Sequence, residues 1–333
     1  MRTVLIINPI SGISTITEKR MSPEETESAI LEGLRAYGIE PQLLHTTPED
    51  GGWGMAKRAA DEGAELVIAA GGDGTVHAVA NGLVGTQSIL GIIPTGTMNN
   101  VALSLNIPDT IPAACIAIAN GKTRTIDVGK INDHVFIEVA GVGLEAALVE
   151  AGEEIKHPGL LSTVHGILSG LKIFFGFKAA RMRIAVDGGK LSSYNAFQVT
   201  ICNAPFYGLH LQLAPDILMD DGLLDVVIYG RVSKIEYLLH ALSMRRRRPH
   251  QPKIKHLRMR SLRVIADKPV EIHADGEPRG YTPAEVRVLP AALRIHVPGK
   301  DAPGLHEEAV KGVDTQAVRQ SIATSSTERS ELS

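Results

Sequence analysis

Continuous apolar runs alternate with amphipathic segments over the first third of the chain. Thr3–Ile7 (TVLII) is typical of a parallel strand that is covered on both faces. Ser22, Pro23 and Glu25 then have the spacing of a helix start, with a cap, a first-turn proline and a carboxylate at the third position. Repeated strand and helix predict an open α/β sheet, whose ligands bind beyond the carboxyl ends of its strands.

The same alternation predicts the other elements of this region. The predicted strands are residues 39–45, 65–70 and 88–93, and the predicted helices run from Ser22 to Gly38, from Thr47-Pro48 to Gly63, and over residues 75–84. We therefore expect a parallel sheet with helices on both faces.

Near residue 125 the pattern changes to short strands separated by turn residues, which is typical of a sandwich or a curled antiparallel sheet. Two helical segments, at about 144–175 and 233–244, interrupt this series, and apolar periodicity is lost after Pro298. The predicted divisions are an α/β domain with an open, mostly parallel sheet (1–124), a mainly antiparallel β-rich domain with helical insertions (125–300), and a disordered tail (301–333). We expect the end of the second domain to pack back on the first.

Composition narrows the class of protein. The chain has 333 residues, 44% of them hydrophobic and 21% charged, as in globular proteins. A net charge of −3 argues against a nucleic-acid binder, which needs a strongly basic surface. Cys115 and Cys202 lie far apart and suit neither a zinc nor a redox spacing, so buried, reduced thiols are expected. With no apolar stretch of membrane-spanning length, we expect a cytoplasmic protein.

A glycine-rich loop gives the first indication of chemistry. The third predicted strand runs directly into Gly71-Gly72-Asp73-Gly74-Thr75, and a helix follows. Such glycines let backbone N–H groups approach a phosphate, and Asp73 can orient a magnesium–phosphate assembly. A D-G hairpin turn is the alternative, but the residues that follow have helical spacing. The loop is neither a Walker A loop nor a G-x-G-x-x-G loop.

Two more loops follow the first and fourth predicted strands. Each alone reads as an ordinary turn. Their residues include Asn8, Pro9, Ser11 and Gly12 after the first strand, and Gly96, Thr97, Asn99 and Asn100 after the fourth. Because the carboxyl ends of parallel strands meet at one sheet edge, the three loops together predict a nucleotide phosphate site.

These motifs resemble those of the diacylglycerol kinase catalytic-domain family, which includes soluble bacterial lipid kinases and sphingosine kinases. The resemblance rests on N-P-x-S-G, G-G-D-G-T and P-x-G-T-x-N, and it continues through Ile126-Asp127-Val128-Gly129, Asp221-Gly222-Leu223-Leu224-Asp225 and His273-Ala274-Asp275-Gly276-Glu277. It covers residues 3–298. G-G-D-G-T alone also occurs in NAD kinases and phosphofructokinases, and the later motifs favour a lipid kinase.

The resemblance implies ATP as a substrate, Mg²⁺ as a cofactor, and a lipid held between the domains. It assigns ATP to Asn8, Pro9, Ser11, Gly12, Thr46, Gly71, Gly72, Asp73, Gly74, Thr75, Gly96, Thr97, Asn99 and Asn100. It makes Asp275 the general base and Glu277 its partner. It also implies that Asp127 reaches the catalytic magnesium through water, and that Asp220, Asp221 and the carbonyl of Leu223 hold a structural magnesium.

The residues leave other interpretations open. On one strand His273, Asp275 and Glu277 would share a face, which supports the catalytic pair, whereas a polar hairpin turn would separate them. Asp127 could instead cap a turn, and residues 220–222 could form a plain turn. The family commonly has an aspartate where this chain has Asn100. An NAD-kinase-like nucleotide kinase and a non-catalytic ATP- or lipid-binding member are therefore kept as alternatives.

Two further features bear on partners. The segment around residues 160–175 has apolar side chains near helical spacing, which fits core packing or a slot for lipid chains. Arg245, Arg246, Arg247 and Arg248 form either a solvated run or a docking site for anionic lipid. We expect a lipid substrate and transient, peripheral membrane association, while the oligomeric state is left open, a homodimer included.

Overall fold

The computed structural model describes residues 1–9, 21–153, 160–214, 216–230, 232–246 and 254–299. The helices are α1 (Pro23–Arg35), α2 (Trp53–Asp61), α3 (Asp73–Leu83), α4 (Asn100–Ser104), α5 (Ile111–Asn120), α6 (Leu144–Glu153), α7 (Leu160–Gly176) and α8 (Lys234–Arg245). The strands of the first half are β1 (Thr3–Ile7), β2 (Gln42–His45), β3 (Leu66–Gly71), β4 (Ile89–Pro94), β5 (Lys122–Ile131), β6 (His134–Phe136) and β7 (Val139–Gly143). Those of the second half are β8 (Ala180–Val186), β9 (Ser192–Ala196), β10 (Gln198–Cys202), β11 (Phe206–Tyr207), β12 (Leu211–Gln212), β13 (Leu224–Tyr229), β14 (Lys255–Met259), β15 (Ser261–Ala266), β16 (Glu271–Ala274), β17 (Glu277–Tyr281) and β18 (Ala284–Val297).

The first region is built on four parallel strands in the order β2-β1-β3-β4. β1 and β3 are buried along their whole length, because α2 and α3 pack on one face of the sheet and α1 and α5 on the other. This burial on both faces explains why these strands are continuous apolar runs. The predicted α/β sheet is confirmed.

The first residue of a helix can be predicted from local sequence signals in one case and not in another. At α1, Ser22 and Glu25 form the predicted capping box, with Pro23 in the first turn. The predicted start of the next helix at Thr47 is wrong, because α2 begins only at Trp53. The Asp50 carboxylate accepts the N–H groups of Gly52 and Gly54 and so caps this helix from outside it.

The second region is a sandwich. Within the described residues, a six-stranded sheet has the order β14-β13-β10-β7-β16-β17, and its paired strands are antiparallel. One face packs on β8, β15 and β18 through an apolar core. The other face is covered by a cluster of aromatic side chains. It includes Phe197, which precedes β10, Tyr229 on β13 and Tyr237 on α8. The predicted antiparallel, β-rich second region is confirmed.

β5 and β18 run through both regions. The first half of β18 pairs with β15, whereas its second half pairs in parallel with β4. β5 lies antiparallel to both halves of β18, with an irregularity between Leu289 and Leu293 where Ala291 has φ 50°. The first sheet is thus completed by a strand from the far end of the sequence.

The end of α7 contacts the start of α8, since the ammonium group of Lys234 donates to the carbonyl of Phe175 and the rings of Phe174 and Tyr237 are 6.3 Å apart. Among the helices of the described ranges, none is both long and apolar enough to cross a bilayer. The predicted tail, residues 301–333, lies outside the described residues.

Candidate active site

The three loops predicted to form a phosphate site do converge. The side-chain amide of Asn8 lies 3.3 Å from the hydroxyl of Thr75. A Cβ atom on Gly96 would lie 2.5 Å from the Cα of Gly72, so only glycine allows these two loops to touch. The helix α3 begins immediately after Gly72, and its N-terminus faces this junction with the positive end of its dipole.

Three further residues that were predicted to bind ATP, Pro9, Thr46 and Asn99, lie at the same sheet edge. Asn99 adopts a left-handed conformation and exchanges hydrogen bonds with the backbone of Gly96, which fixes the turn after β4. Pro9 follows β1, and the N–H of Thr46 donates to the carbonyl of Ile7, so both lie at the same sheet edge. Ser11 and Gly12 lie outside the described residues.

The β16–β17 hairpin faces these loops. Asp275 and Gly276 form its two-residue turn, with φ values of 47° and 77°. The prediction that His273, Asp275 and Glu277 share a strand face is therefore wrong, because the turn separates them. His273 is buried beside Glu145, with 3.6 Å between the imidazole and the carboxylate, whereas Glu277 pairs with Arg279 on the exposed β17.

The carboxylate of Asp275 turns back into the protein. One oxygen accepts the N–H of Ile137 at 2.6 Å, and the other accepts those of Glu138 and Val139 at 2.9 and 3.0 Å. A carboxylate offers about four lone-pair positions, so about one is left for another donor. Asp275 thus fixes the segment before β7 and can still accept a proton.

A cluster that the sequence analysis did not identify lies next to Asp275. The imidazole Nε2 of His77 is 2.8 Å from a carboxylate oxygen of Glu138. Asp73 completes the group, and one potential ligand atom from each residue lies within 4.8 Å of the others. Asp73 and His77 are four residues apart on α3, a spacing that places them on one helix face. Nothing in the sequence links either of them to Glu138, which only the fold brings here.

The charges of this cluster are strongly coupled. Burial by itself lowers the pKa of His77, but the carboxylates of Asp275, Glu138 and Asp73 raise the pKa to about 10. Burial raises the pKa of Glu138, and the neighbouring imidazolium opposes this effect. The three carboxylates therefore favour the protonated form of the His77 imidazole.

The first turns of α2 and α3 and the β16–β17 hairpin line a cavity of about 480 Å³. Its walls are formed by Gly51, Trp53, Asp73, Gly74, His77, Ala78, Asn81, Val135, Ala274, Asp275, Gly276, Glu277 and Arg279. The phosphate-loop residues Asp73 and Gly74 therefore share one cavity with the Asp275 turn. A nucleotide phosphate and a second substrate could meet in this space.

Two residues that the resemblance assigned to ATP or its metal point elsewhere. The side-chain amide of Asn100 is buried and donates to the carbonyl of Gly208 at 3.0 Å. Asp127 is 3% exposed, and its two carboxylate oxygens accept the N–H groups of Gly222 and Ala291 at 2.6 and 2.7 Å. These contacts match the capping alternative, and a role of Asp127 at magnesium stays a prediction.

The predicted structural magnesium residues already have cationic partners. Asp220 pairs with Arg124 at 2.8 Å, and Asp221 pairs with Arg258 while also accepting the N–H of Leu223. A metal ion at these carboxylates would have to compete with two guanidinium groups. The magnesium assignment to Asp220, Asp221 and Leu223 stays a prediction.

Comparison with known proteins places this geometry in a family. The sequence profile of the diacylglycerol kinase catalytic domain matches residues 2–131. A diacylglycerol kinase of Bacillus subtilis is 30% identical, and the alignment covers 92% of this chain and 99% of that protein. The chain belongs to the diacylglycerol kinase family. The family predicted from the sequence motifs is thereby confirmed, and the chain carries the catalytic domain of a kinase.

Further similarities include the second region of the chain. The profile described as a YegS C-terminal NAD kinase beta sandwich-like domain matches residues 138–297. An uncharacterised protein of Synechocystis is 35% identical over 88% of this chain and 70% of its own length. The crystal structure of a diacylglycerol kinase from Bacillus anthracis, 20% identical, covers 90% of this chain and 98% of its own with a TM-score of 0.68, which shows a shared fold.

Proposed function

We propose that this protein transfers the γ-phosphate of ATP to a hydroxyl group of a lipid. The observation that carries the proposal is the cavity in which the phosphate loop, with Asp73 and Gly74, faces the turn that bears Asp275. Phosphoryl transfer depends mainly on positioning and on neutralising charge, and both are supported by the convergence of three loops at the N-terminus of α3.

In this proposal the phosphates of ATP lie against the loops after β1, β3 and β4, together with Mg²⁺. Asp275 accepts the proton of the lipid hydroxyl as that oxygen attacks the γ-phosphorus and ADP leaves. The free lone-pair position of Asp275 supports this role, and base catalysis of this kind typically contributes about 10²–10⁴-fold. Carboxylates such as Asp73 offer the oxygen ligands that Mg²⁺ prefers.

Membrane association is part of the proposal, because a soluble enzyme must reach a substrate that lies in a bilayer. The outer faces of α7 and α8 expose Leu168, Leu171, Phe175, Ile235, Leu238, Leu239 and Leu242. Their spacing places them on one face of each helix, and Lys172, Lys178, Arg245 and Arg246 are exposed nearby. Apolar residues beside basic ones are complementary to an anionic lipid surface. Arg247 and Arg248 lie outside the described residues.

A nucleotide kinase is the second candidate. It is favoured by the match of residues 138–297 to a domain of the NAD kinase sandwich type. The similarity to a bacterial diacylglycerol kinase along nearly the whole chain favours the lipid instead.

The test is transfer of labelled γ-phosphate from ATP, offered in parallel with a detergent-dispersed lipid extract and with NAD. We expect the label in a lipid product, whose acceptor is then identified by mass spectrometry. Label in NADP would establish the nucleotide kinase. ATP binding without transfer to either acceptor would establish a non-catalytic member of the family.

A further inference from the structure

The cluster of Asp73, His77 and Glu138 has the composition of a metal site. Asp73 and His77 lie one turn apart on α3, and Glu138 comes from the segment that precedes β7. Their three potential ligand atoms lie within 4.8 Å of one another, and no other group of three such residues occurs in the described ranges. One imidazole and two carboxylates converge on one point.

A second observation indicates that a cation belongs there. One carboxylate oxygen of Asp73, Oδ1, is buried and accepts no hydrogen bond from any residue that the structure describes, although the side chain as a whole is partly exposed. Leaving a buried charged acceptor without a donor is unfavourable, and natural proteins rarely do so unless an ion or water fills the position. The side chain of Glu138 is only 4% exposed, so this site is also largely shielded from solvent.

The fold holds the ligands in place from outside the cluster. The carboxylate of Asp275 binds the N–H of Glu138, and the carbonyl of Glu138 accepts the N–H of Asn203 at 2.8 Å. Asn100 and Asp127 make the contacts described above with Gly208, Gly222 and Ala291 and do not join the group. The carboxylate that the family commonly has at position 100 is thus absent, whereas Glu138 provides a carboxylate within 4.8 Å of the potential ligand atoms of Asp73 and His77.

We propose that Asp73, His77 and Glu138 bind a divalent cation of the first transition series, because their carboxylates suit Mn²⁺ and their imidazole suits the later ions of the series. Imidazole favours transition ions, whereas Mg²⁺ prefers an all-oxygen shell with several waters. Only the link between this ion and phosphoryl transfer rests on the proposed function.

The position of the chain's single tryptophan allows a direct binding test. Trp53 lines the same cavity as Asp73 and His77. Co²⁺ and Mn²⁺ are paramagnetic and quench tryptophan emission at short range, and Co²⁺ bound through imidazole also gives visible absorption. We expect saturable quenching of the full-length protein by both ions, with tighter binding than Mg²⁺ shows in competition.

His77→Asn and Glu138→Gln are the test variants, and His256→Asn is the matched control. His256 also lies against a carboxylate, 2.6 Å from that of Asp225, but Arg258 contacts the same carboxylate, and His256 belongs to no group of three potential metal ligands in the described residues. Loss of an outer-shell partner typically weakens metal binding about 10–100-fold. We expect at least that loss for Co²⁺ and Mn²⁺ in both test variants, a smaller loss for Mg²⁺ in His77→Asn, and no change in the control.

Equal Co²⁺ affinity of wild type and His77→Asn would overturn the proposal, as would binding of Co²⁺ no tighter than that of Mg²⁺. Circular dichroism and melting temperature check that each variant folds, and Asp73→Asn gives a third, independent ligand deletion. Transfer to lipid is measured separately with Mg²⁺ and with Mn²⁺. Metal binding that depends on His77 in a protein without lipid kinase activity would overturn the proposed function and leave the metal site standing.

Discussion

At the scale of single residues, Asp275 combines a structural and a chemical task. Its carboxylate holds three consecutive backbone N–H groups, of Ile137, Glu138 and Val139, and so fixes the wall of the cavity. The same carboxylate lies opposite the phosphate loop. Substitution should therefore affect both stability and turnover, and the two effects have to be measured separately.

Asp275→Asn is expected to lower kcat by about 10²-fold or more, because an amide cannot act as the base. ATP affinity should change little, since Asp275 lies outside the three loops that are proposed to hold the nucleotide. The amide also replaces an acceptor by a donor, so the free energy of unfolding should fall by about 1–3 kcal/mol. Kinetics, calorimetric ATP titration and thermal melting measure the three quantities.

The control is Asp133→Asn, at a fully exposed aspartate between β5 and β6. A near-normal kcat of Asp275→Asn would remove Asp275 from the mechanism.

Asn100→Asp tests the departure from the family's common residue. Position 100 is 3% exposed and faces the carbonyl of Gly208, so a carboxylate there would be buried against another acceptor. We expect a lower melting temperature and no decrease in the magnesium concentration that gives half-maximal activity. The control is Asn106→Asp at an exposed site. A decrease in the magnesium requirement would instead show that the new carboxylate reaches the metal.

His256 provides a prediction about pH. The hydrogen bond to Asp225 raises the pKa of His256 above its ordinary 6.5, with a further contribution from Asp216 and opposition from burial and Arg258. A raised pKa in the folded state stabilises the protein fully below about pH 6.5, and this contribution is lost as the pH rises through the folded value. The melting temperature of His256→Asn should therefore fall furthest below wild type at pH 6, and the gap should narrow by pH 9. A gap that widens with pH would contradict this ion pair.

The extent to which the sequence predicts the structure differs from residue to residue. The motif residues of the phosphate loop were predictable because strand, glycine loop and helix follow one another locally, and the close approach of Gly72 and Gly96 follows from that order. The pairing of His77 with Glu138 could not be predicted, because 61 positions separate the two residues and only the docking of the second region on α3 brings them together. Local signals specify a loop, whereas a cluster across two regions depends on tertiary packing.

At the scale of elements, the β16–β17 hairpin shows how the register determines chemistry. If residues 273–277 formed one strand, alternate side chains would lie on the same face, as we predicted. The two-residue turn at Asp275 and Gly276 reverses the chain instead. D-G is a strong signal for such a turn, and it competed here with the family motif. The turn places Asp275 at the tip of the hairpin, where it can reach the neighbouring segment.

The α7–α8 face carries the prediction about membranes. Leu238 and Leu239 are 51% and 57% exposed, and replacing both with glutamate should weaken binding to anionic vesicles through lost apolar burial and added repulsion. Vesicle sedimentation and activity on vesicle-borne lipid should fall, whereas activity on detergent-dispersed lipid should persist. Leu191→Glu, at a comparably exposed leucine distant in sequence from both helices, is the control. Equal sedimentation of wild type and the double variant would exclude this face as the docking surface.

At the scale of the whole molecule, β5 and β18 join the two regions more firmly than a linker would. The first half of β18 pairs with β15 of the second region, its second half pairs with β4 of the first region, and β5 pairs with both halves. Neither region can therefore lose its structure without disturbing the other. We expect a single calorimetric transition, with equal van't Hoff and calorimetric enthalpies. Ile295→Ala in the first region and Val226→Ala in the second should each lower that one transition, at a cost of about 1–5 kcal/mol. Two separable heat-absorption peaks would contradict this coupling.

The position of β18 also affects how the protein is made. A ribosome releases the polypeptide from its N-terminus, so β1 to β4 are synthesised about 200 residues before the strand that pairs with the open edge of β4. Until then, the N–H and C=O groups along that edge remain available to other chains. Chaperones would therefore be most useful while the first region waits for β18, and slow translation between β4 and β18 should increase aggregation during synthesis.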